Sequence, residues 1–379
     1  MKTARKLVIG AALASPAAAL GQVPDLLNAL DAGGRAMGMG GAGYQTDSST
    51  LSGYYNPAGL GYLDAPAAGV VFRNLPTSRT VVTGDFSNLR LDSRADTGAR
   101  YLTHVGYAFP MRQGGALGVS LTTGGFVRDE RLGNNLPDGA LTVRNYRELS
   151  RVRNDFLAVS YGRANADSAM TWGVSLLYAM SHVVNTQAGQ LVDSSNNVVG
   201  TLSARNDEQG HGFGLLVGIQ LSPRNQPNTS FGLSYRTEID LTGNENTASL
   251  YDKIPARLAA GLAHRRDGLR GGRDYLLVAA DVQHFFEGGS SPLFDRDAQT
   301  VAGIGAEYNY HAAWGRLPVR LGYAFVPSGG RGYGSRNAFT YGIGYRPPGS
   351  DLALDLNFAS PEGGSSDMSL SLSYRFRNR

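Results

Sequence analysis

Residues 367–377, DMSLSLSYRFR, alternate apolar and polar side chains along their length. One face carries Met368, Leu370, Leu372, Tyr374 and Phe376, whereas the opposite face is mostly serine. Period-two alternation of this kind is typical of a strand with one apolar and one polar face. The stretch therefore predicts a last strand that lies between two different environments.

The same alternation recurs upstream, in 172–180, 213–221, 319–325, 339–345 and 351–359. These segments are mostly longer than the five or so residues usual in soluble strands. Their polar faces are rich in Gly, Ser, Asp, Asn and Arg, which would make a poor dry core. A soluble antiparallel sandwich also alternates, but lipid outside and water inside explain both faces at once. The pattern predicts an all-β fold, an antiparallel transmembrane β-barrel.

Composition excludes several kinds of chemistry. The 379 residues include 51 glycines and no cysteine, so disulfides, thiolate metal sites and a cysteine nucleophile are excluded. The six histidines are scattered without metal-ligand spacing, and no catalytic pairing stands out. We expect no enzyme activity, no cofactor and no metal. The mature chain is close to neutral, so we expect no nucleic-acid partner.

The first residues are typical of a secretory signal. Lys2, Arg5 and Lys6 precede a short apolar stretch at 7–14, and small residues follow at 17–21. The pattern predicts a signal peptide over 1–21. No later apolar run reaches the length of a transmembrane helix.

Turn lengths predict the topology. Short polar connections alternate with longer ones, and outer-membrane barrels have short periplasmic turns and longer outer loops. The short connections are 110–115, 164–168, 223–228, 267–273, 312–316 and 347–351. The longer ones are 89–97, 129–146, 188–205, 242–251, 287–297, 329–334 and 362–366. The alternation predicts 14 strands over 64–379, the first within 66–88, where Pro76 leaves its course ambiguous.

Residues 22–63 do not fit the barrel pattern. A short helix is predicted at 24–30, followed by GGRAMGMGGAG at 33–43 and YYNPAGL at 54–60. Such irregular, glycine-rich backbone cannot face lipid, because its polar groups would be unsatisfied there. We therefore predict a hatch inside the lumen. A dinucleotide-binding pattern also starts at Gly38, but the strand and helix that it requires around it are not predicted.

These two motifs resemble the start of the FadL-type (OmpP/TodX-like) outer-membrane transporters and of the related PorV-like barrels. The resemblance implies an outer-membrane location among outer-membrane lipids, and transport of hydrophobic compounds such as long-chain fatty acids. It makes hatch candidates of Gly38, Gly40, Gly41, Asn56, Pro57 and Gly59. For Asn56 and Pro57, a structural turn is the explanation we prefer over direct ligand contact. The chain departs from the family in Asp47-Ser-Ser and in the residues after Phe376.

Two other functions stay open at this point. A PorV-like barrel would serve secretion or assembly and bind a secreted protein partner instead of a lipid. A general diffusion porin would have a polar, open lumen.

Gly124 and Gly125 are adjacent in the third predicted strand. Adjacent glycines weaken a strand ladder and often mark a bulge. The family resemblance implies a kink that opens a lateral exit. The alternative, that both glycines simply lie near the outer rim, is the one we prefer from the sequence.

Overall fold

The computed structural model describes residues 33–377 apart from 84–89, 113, 139, 166–167, 244–252, 289–296, 330–334, 336 and 363–365. The expected signal peptide and the helix predicted at 24–30 lie outside the described residues. Among the described residues, no helix is long and apolar enough to cross a bilayer.

Fourteen long strands form one closed antiparallel barrel, as the turn pattern predicted. They are β1 (Ala67–Thr83), β2 (Arg90–Pro110), β3 (Ala116–Asn134), β4 (Leu141–Ala164), β5 (Met170–Val192), β6 (Val198–Leu221), β7 (Thr229–Arg236), β8 (Arg257–Gly268), β9 (Asp274–Phe285), β10 (Gln299–Ala312), β11 (Gly315–Phe325), β12 (Ala338–Tyr345), β13 (Leu352–Pro361) and β14 (Asp367–Arg375). Each strand pairs with the next along the chain, and β14 pairs with β1 to close the wall. Shorter pieces are Leu136–Asp138, Ile239–Asp240, Thr242–Gly243, Lys253–Ile254 and a helical turn at Leu269–Gly272.

The two faces of the strands are those predicted. In β6 the outward side chains Phe213, Leu215 and Val217 are exposed, while the inward positions between them are mostly small. In β14 Leu370 and Leu372 are exposed and the intervening serines point into the barrel. An apolar exterior of this extent is far larger than a soluble monomer tolerates. The barrel is therefore built to be surrounded by lipid.

The ambiguous first strand is a single strand that runs across Pro76. Its pairing with β2 shifts register between Leu75 and Thr77, so the proline falls at an irregularity. Proline cannot donate to a ladder, and a bulge is where a sheet accommodates it. Because β1 is one strand and not two, the barrel keeps an even number of strands.

Three of the predicted outer loops were too long. Much of 89–97, 129–146 and 188–205 continues the strands instead, so that β4, β5 and β6 reach 24, 23 and 24 residues. A membrane needs only about ten residues per strand, so these hairpins extend well beyond it. The extensions carry few apolar side chains apart from a small buried group around Val143 and Tyr146, and the sequence therefore lacks the continuous apolar stripe that marks a membrane strand. The real turn after β5 is short, with Asp193 accepting hydrogen bonds from the backbone N–H groups of Ser195 and Asn197.

The hatch occupies the lumen in the described part, 33–63. It contains a 3₁₀ helix at Arg35–Met39, a four-residue helix at Ser52–Tyr55 and a 3₁₀ helix at Pro57–Tyr62. Most of its residues are buried within the barrel. The predicted plug is therefore present in the described residues.

Candidate functional site

Inward glycines of the wall mark where the hatch backbone lies. A Cβ added at Gly303, Gly305 or Gly322 would overlap the backbone of Met39 or Gly40. On the opposite side of the barrel, a Cβ at Gly162 or Gly173 would overlap the backbone around Pro57. The glycine-rich inner face seen in the sequence is therefore the surface that receives the hatch.

The predicted hatch glycines make the tight turn after the first 3₁₀ helix. Gly40 and Gly41 have φ of 70° and 82°, a region that favours glycine. The N–H of Gly40 donates to Oγ1 of Thr340 at 2.7 Å, which ties the hatch to β12. Gly38 lies against the Asn357 side chain and leaves no room for a Cβ.

Asn56 and Pro57 form a buried structural turn. The Asn56 Oδ1 accepts a hydrogen bond from the N–H of Ala58 at 3.2 Å, so Asn56 caps the second 3₁₀ helix, and Pro57 occupies its first position. The Asn56 Nδ2 donates to the carbonyls of Gln45 at 2.9 Å and of Ile219 at 3.1 Å. Gly59 packs against the Asp47 carbonyl, where a Cβ would not fit. These contacts join two parts of the hatch to each other and to β6.

An ion-pair network that the sequence analysis missed attaches the hatch to the opposite wall. Arg35 of the hatch donates to Glu307 at 2.7 Å, and Glu307 also accepts from Arg320 at 2.6 Å. Asp355 bridges Arg320 and Arg346 at 2.8 and 2.9 Å. Burial disfavours the charge of Arg35, but the field of Glu307 outweighs it and holds the pKa of Arg35 above its ordinary value. The sequence feature that could have predicted this network is the presence of charged residues at inward positions of β10, β11 and β13.

An aromatic cluster lies between the hatch and β4. The rings of Tyr44 and Tyr55 stack with centroids 3.8 Å apart, and Tyr54 lies 5.1 Å from Phe156. The Arg257 guanidinium sits 5.5 Å from the centre of the Tyr54 ring. Ile239, Ile254 and Ala179 complete the buried apolar group. Its members come from four distant parts of the sequence.

The wall is irregular between β2 and β3. The last paired residues of the two strands are His104 of β2 and Thr122 of β3. The same edge of β3 is paired again from Asp129, which lies opposite Ser78 of β1 in a parallel arrangement. Among the described residues, 123–128 of β3 therefore have no ladder partner on that edge. The other edge of β3 has a bulge between Thr123 and Gly125 in its pairing with β4.

The bulge lies against the hatch. Gly124 and Gly125 are buried, and a Cβ added at Gly124 would overlap the Tyr54 hydroxyl and come within 2.8 Å of the Phe156 ring. Just below the bulge, Oγ1 of Thr50 lies 3.0 Å from Nε2 of His104. The structure thus brings together the 54–60 motif and the glycine pair, 70 residues apart in sequence. β3 continues pairing to Gly133, so the bulge is within the strand.

Among the described residues, no group of His, Asp and Glu has the arrangement of a metal site. No family model matches the sequence, and no curated protein matches it. Solved structures do resemble it.

The toluene transporter TbuX of Ralstonia pickettii superposes with a TM-score of 0.62 at 16% identity, covering 90% of this chain and 97% of that one. A FadL homologue of Pseudomonas aeruginosa gives 0.60 at 13% identity, covering 90% and 98%. The toluene transporter TodX of P. putida gives 0.58 at 16% identity, covering 91% and 98%. The chain has the FadL/TodX-type fold. At these identities the likeness establishes the fold, and the cargo has to be argued from this chain's own residues.

Proposed function

We propose that the protein is an outer-membrane channel that lets small hydrophobic molecules pass without chemical change. The apolar exterior and the alternation of short turns with longer outer connections support a location among outer-membrane lipids. Solved structures with the same fold include two toluene transporters and a monoaromatic hydrocarbon channel. A passive channel needs no cofactor and no catalytic group.

The observation that carries the proposal is the contact between the Gly124 bulge and the hatch residue Tyr54. On one side of this contact lies the buried aromatic cluster, and on the other lies the β3 edge that has no ladder partner over 123–128. At this edge no ladder hydrogen bond of the described residues has to break before a molecule passes from the cluster towards lipid. We therefore propose lateral exit between β2 and β3, with a small displacement of Tyr54 as the opening step.

The aromatic cluster also bears on the cargo. Stacked and edge-on rings favour a flat, compact guest, because offset and edge-to-face contacts suit another aromatic ring. We propose monoaromatic hydrocarbons as the first substrate class to test and long-chain fatty acids as the second. Both are poorly soluble in water and gain free energy when they enter an apolar site.

The two other functions considered from the sequence make different demands. A general diffusion porin needs an open aqueous lumen, whereas residues 33–63 occupy the lumen of this barrel. A PorV-like secretion component needs a secreted protein bound at stoichiometric level. Each of these is an outcome of the experiment that tests the channel.

The test is uptake into liposomes that contain the purified full-length chain and a trapped fluorescent reporter of hydrophobic solutes. We expect faster entry of toluene, or of a long-chain fatty acid, than into protein-free liposomes, with no faster entry of glucose. Native mass spectrometry of the gently solubilised protein is the second measurement, and a bound hydrocarbon or fatty acid supports the channel. Rapid glucose entry would indicate a porin, and a stoichiometric protein partner would indicate a secretion component.

A further inference from the structure

A cleft of about 330 Å³ opens at the end of the barrel that carries the short turns. It lies between the β10–β11 turn and the β12–β13 turn, and we call it the turn cleft. Its lining is His311, Ala312, Gly315, Arg316, Arg346 and the turn 347–351. The lumen network described above does not use Arg316 or His311.

The turn cleft holds two arginines side by side. A backbone bridge joins Arg316 and Arg346, each N–H donating to the other residue's carbonyl at 2.9 Å. Arg346 is neutralised by Asp355 at 2.9 Å, whereas exposed Arg316 has no carboxylate partner among the described residues. The one acidic residue of the lining, Asp351, lies 3.6 Å from Arg377. The cleft therefore has an excess positive charge.

A second polar group in the turn cleft lacks a partner. The Nδ1 atom of His311 is buried and makes no hydrogen bond within the described part of the chain. A buried polar atom without a partner costs free energy, and a bound acceptor or donor would recover it. Arg316 thus favours an occupant that carries anionic oxygens, and His311 adds a polar atom without a partner to the lining.

Aromatic residues place the turn cleft at the lipid boundary. Trp314, in the β10–β11 turn, is exposed and stacks on Tyr345 with centroids 6.1 Å apart. The Tyr345 hydroxyl donates to the Trp314 carbonyl at 2.9 Å, and the centroid of the Tyr310 ring lies 6.4 Å from that of the indole. Trp and Tyr collect at the level of lipid headgroups. The arginines of the cleft therefore lie where phosphates of the adjoining leaflet are found.

The charge at this end of the barrel also favours an anionic occupant. The neighbouring segment 265–274, RRDGLRGGRD, has four arginines and two aspartates. Both aspartates are already paired, Asp267 with Arg265 and Asp274 with Arg270, each at 2.7 Å. Arg266 and Arg273 are left exposed at the short-turn end. Basic residues at a membrane surface attract anionic lipids.

We propose that the turn cleft binds the headgroup phosphate of an anionic phospholipid in the leaflet next to the short turns. Arg316 donates to the phosphate, His311 and Arg346 line the cleft around it, and the acyl chains lie along Trp314. The inference rests on the membrane location in the proposed function, but it requires no particular cargo.

The test uses the full-length protein in mixed micelles with equal amounts of phosphatidylglycerol and phosphatidylcholine, analysed by native mass spectrometry. We expect preferential retention of phosphatidylglycerol, reduced roughly tenfold in Arg316→Gln because a charge-assisted hydrogen bond is lost. Arg316→Lys should keep most of the preference. Arg112→Gln, which removes an exposed arginine from the β2–β3 turn, is the matched control and should retain lipid as the parent does.

Equal retention of the two lipids, or unchanged retention in Arg316→Gln, would overturn the proposal. Displacement of the lipid by millimolar inorganic phosphate would show a free-anion site and would overturn it too. Heat-modifiable migration on gels checks that each variant is folded. Toluene uptake by Arg316→Gln should equal that of the parent, so a failure of the channel proposal and a failure of this one give different results.

Discussion

The two halves of the wall differ in regularity. From β7 to β14 every strand pairs with the next without a register shift. From β1 to β6, shifts occur in the pairing of β1 with β2, β3 with β4, β4 with β5 and β5 with β6. The regular half holds the Arg35–Glu307 contact, and the irregular half holds the Gly124 bulge and the unpaired β3 edge. The difference indicates an anchoring side and a side suited to opening.

Gly124→Val is expected to have the largest effect on uptake. The new side chain would overlap Tyr54 and Phe156 and fill the space beside the unpaired edge. We expect uptake of the preferred cargo to fall to the protein-free level, and Gly124→Val with Gly125→Val to do the same. Gly200→Val is the control, because its Cβ meets only ordinary van der Waals contacts in the β6 extension. Uptake at the parental rate by the Gly124 variant would show that the bulge takes no part in uptake.

Glu307→Gln tests the anchoring side. It removes the carboxylate that Arg35 and the fully buried Arg320 share and leaves Arg320 with Asp355 alone. Removing one partner of a buried ion pair costs about 3 kcal/mol. We expect the hatch to be cleaved faster by protease added to the detergent-solubilised protein, while the barrel stays folded. Asp207→Asn removes the partner of exposed Arg205 and should change cleavage little, since such pairs contribute about 1 kcal/mol or less. Equal cleavage of the two variants would mean that the anchor lies elsewhere.

Asn56→Ala should have a smaller effect of the same kind. It removes a helix cap and two side-chain hydrogen bonds, which we expect to cost about 1–2 kcal/mol. The loss is limited because the Gln45 carbonyl keeps a hydrogen bond from Gln220 at 2.9 Å. Protease cleavage of the hatch should therefore rise less than in Glu307→Gln. A larger rise than in Glu307→Gln would mean that the β1–β6 half, to which Asn56 binds, is the anchoring side.

Much of the fold could be predicted because it depends on local patterns. Alternation in 367–377 identified the last strand, turn lengths gave the count of 14, and the glycine-rich run identified the hatch. The extensions of β4 to β6 were missed because their few apolar side chains, such as Val143 and Leu191, form no continuous stripe that distinguishes them from loops.

The candidate site was only partly predictable. Gly124 stood out in the sequence as a possible bulge, and Tyr54 lay within a motif, but nothing local predicts that they meet. The same holds for Arg35 and Glu307, 272 residues apart. Contacts of this kind depend on how far the hatch reaches across the lumen, which no periodicity encodes.

The central claim is that cargo leaves sideways past the unpaired edge of β3. Because the chain has no cysteine, a single engineered pair can test it. Val105→Cys with Leu121→Cys joins the outward-facing β2–β3 pair next to the edge, and Ile304→Cys with Tyr323→Cys joins an outward-facing pair of β10 and β11 as the control. With a reducible bifunctional thiol cross-linker, we predict that the first pair loses uptake and regains it after reduction, while the control pair does not change. Full uptake by the protein with the cross-linked Val105–Leu121 pair would contradict the account.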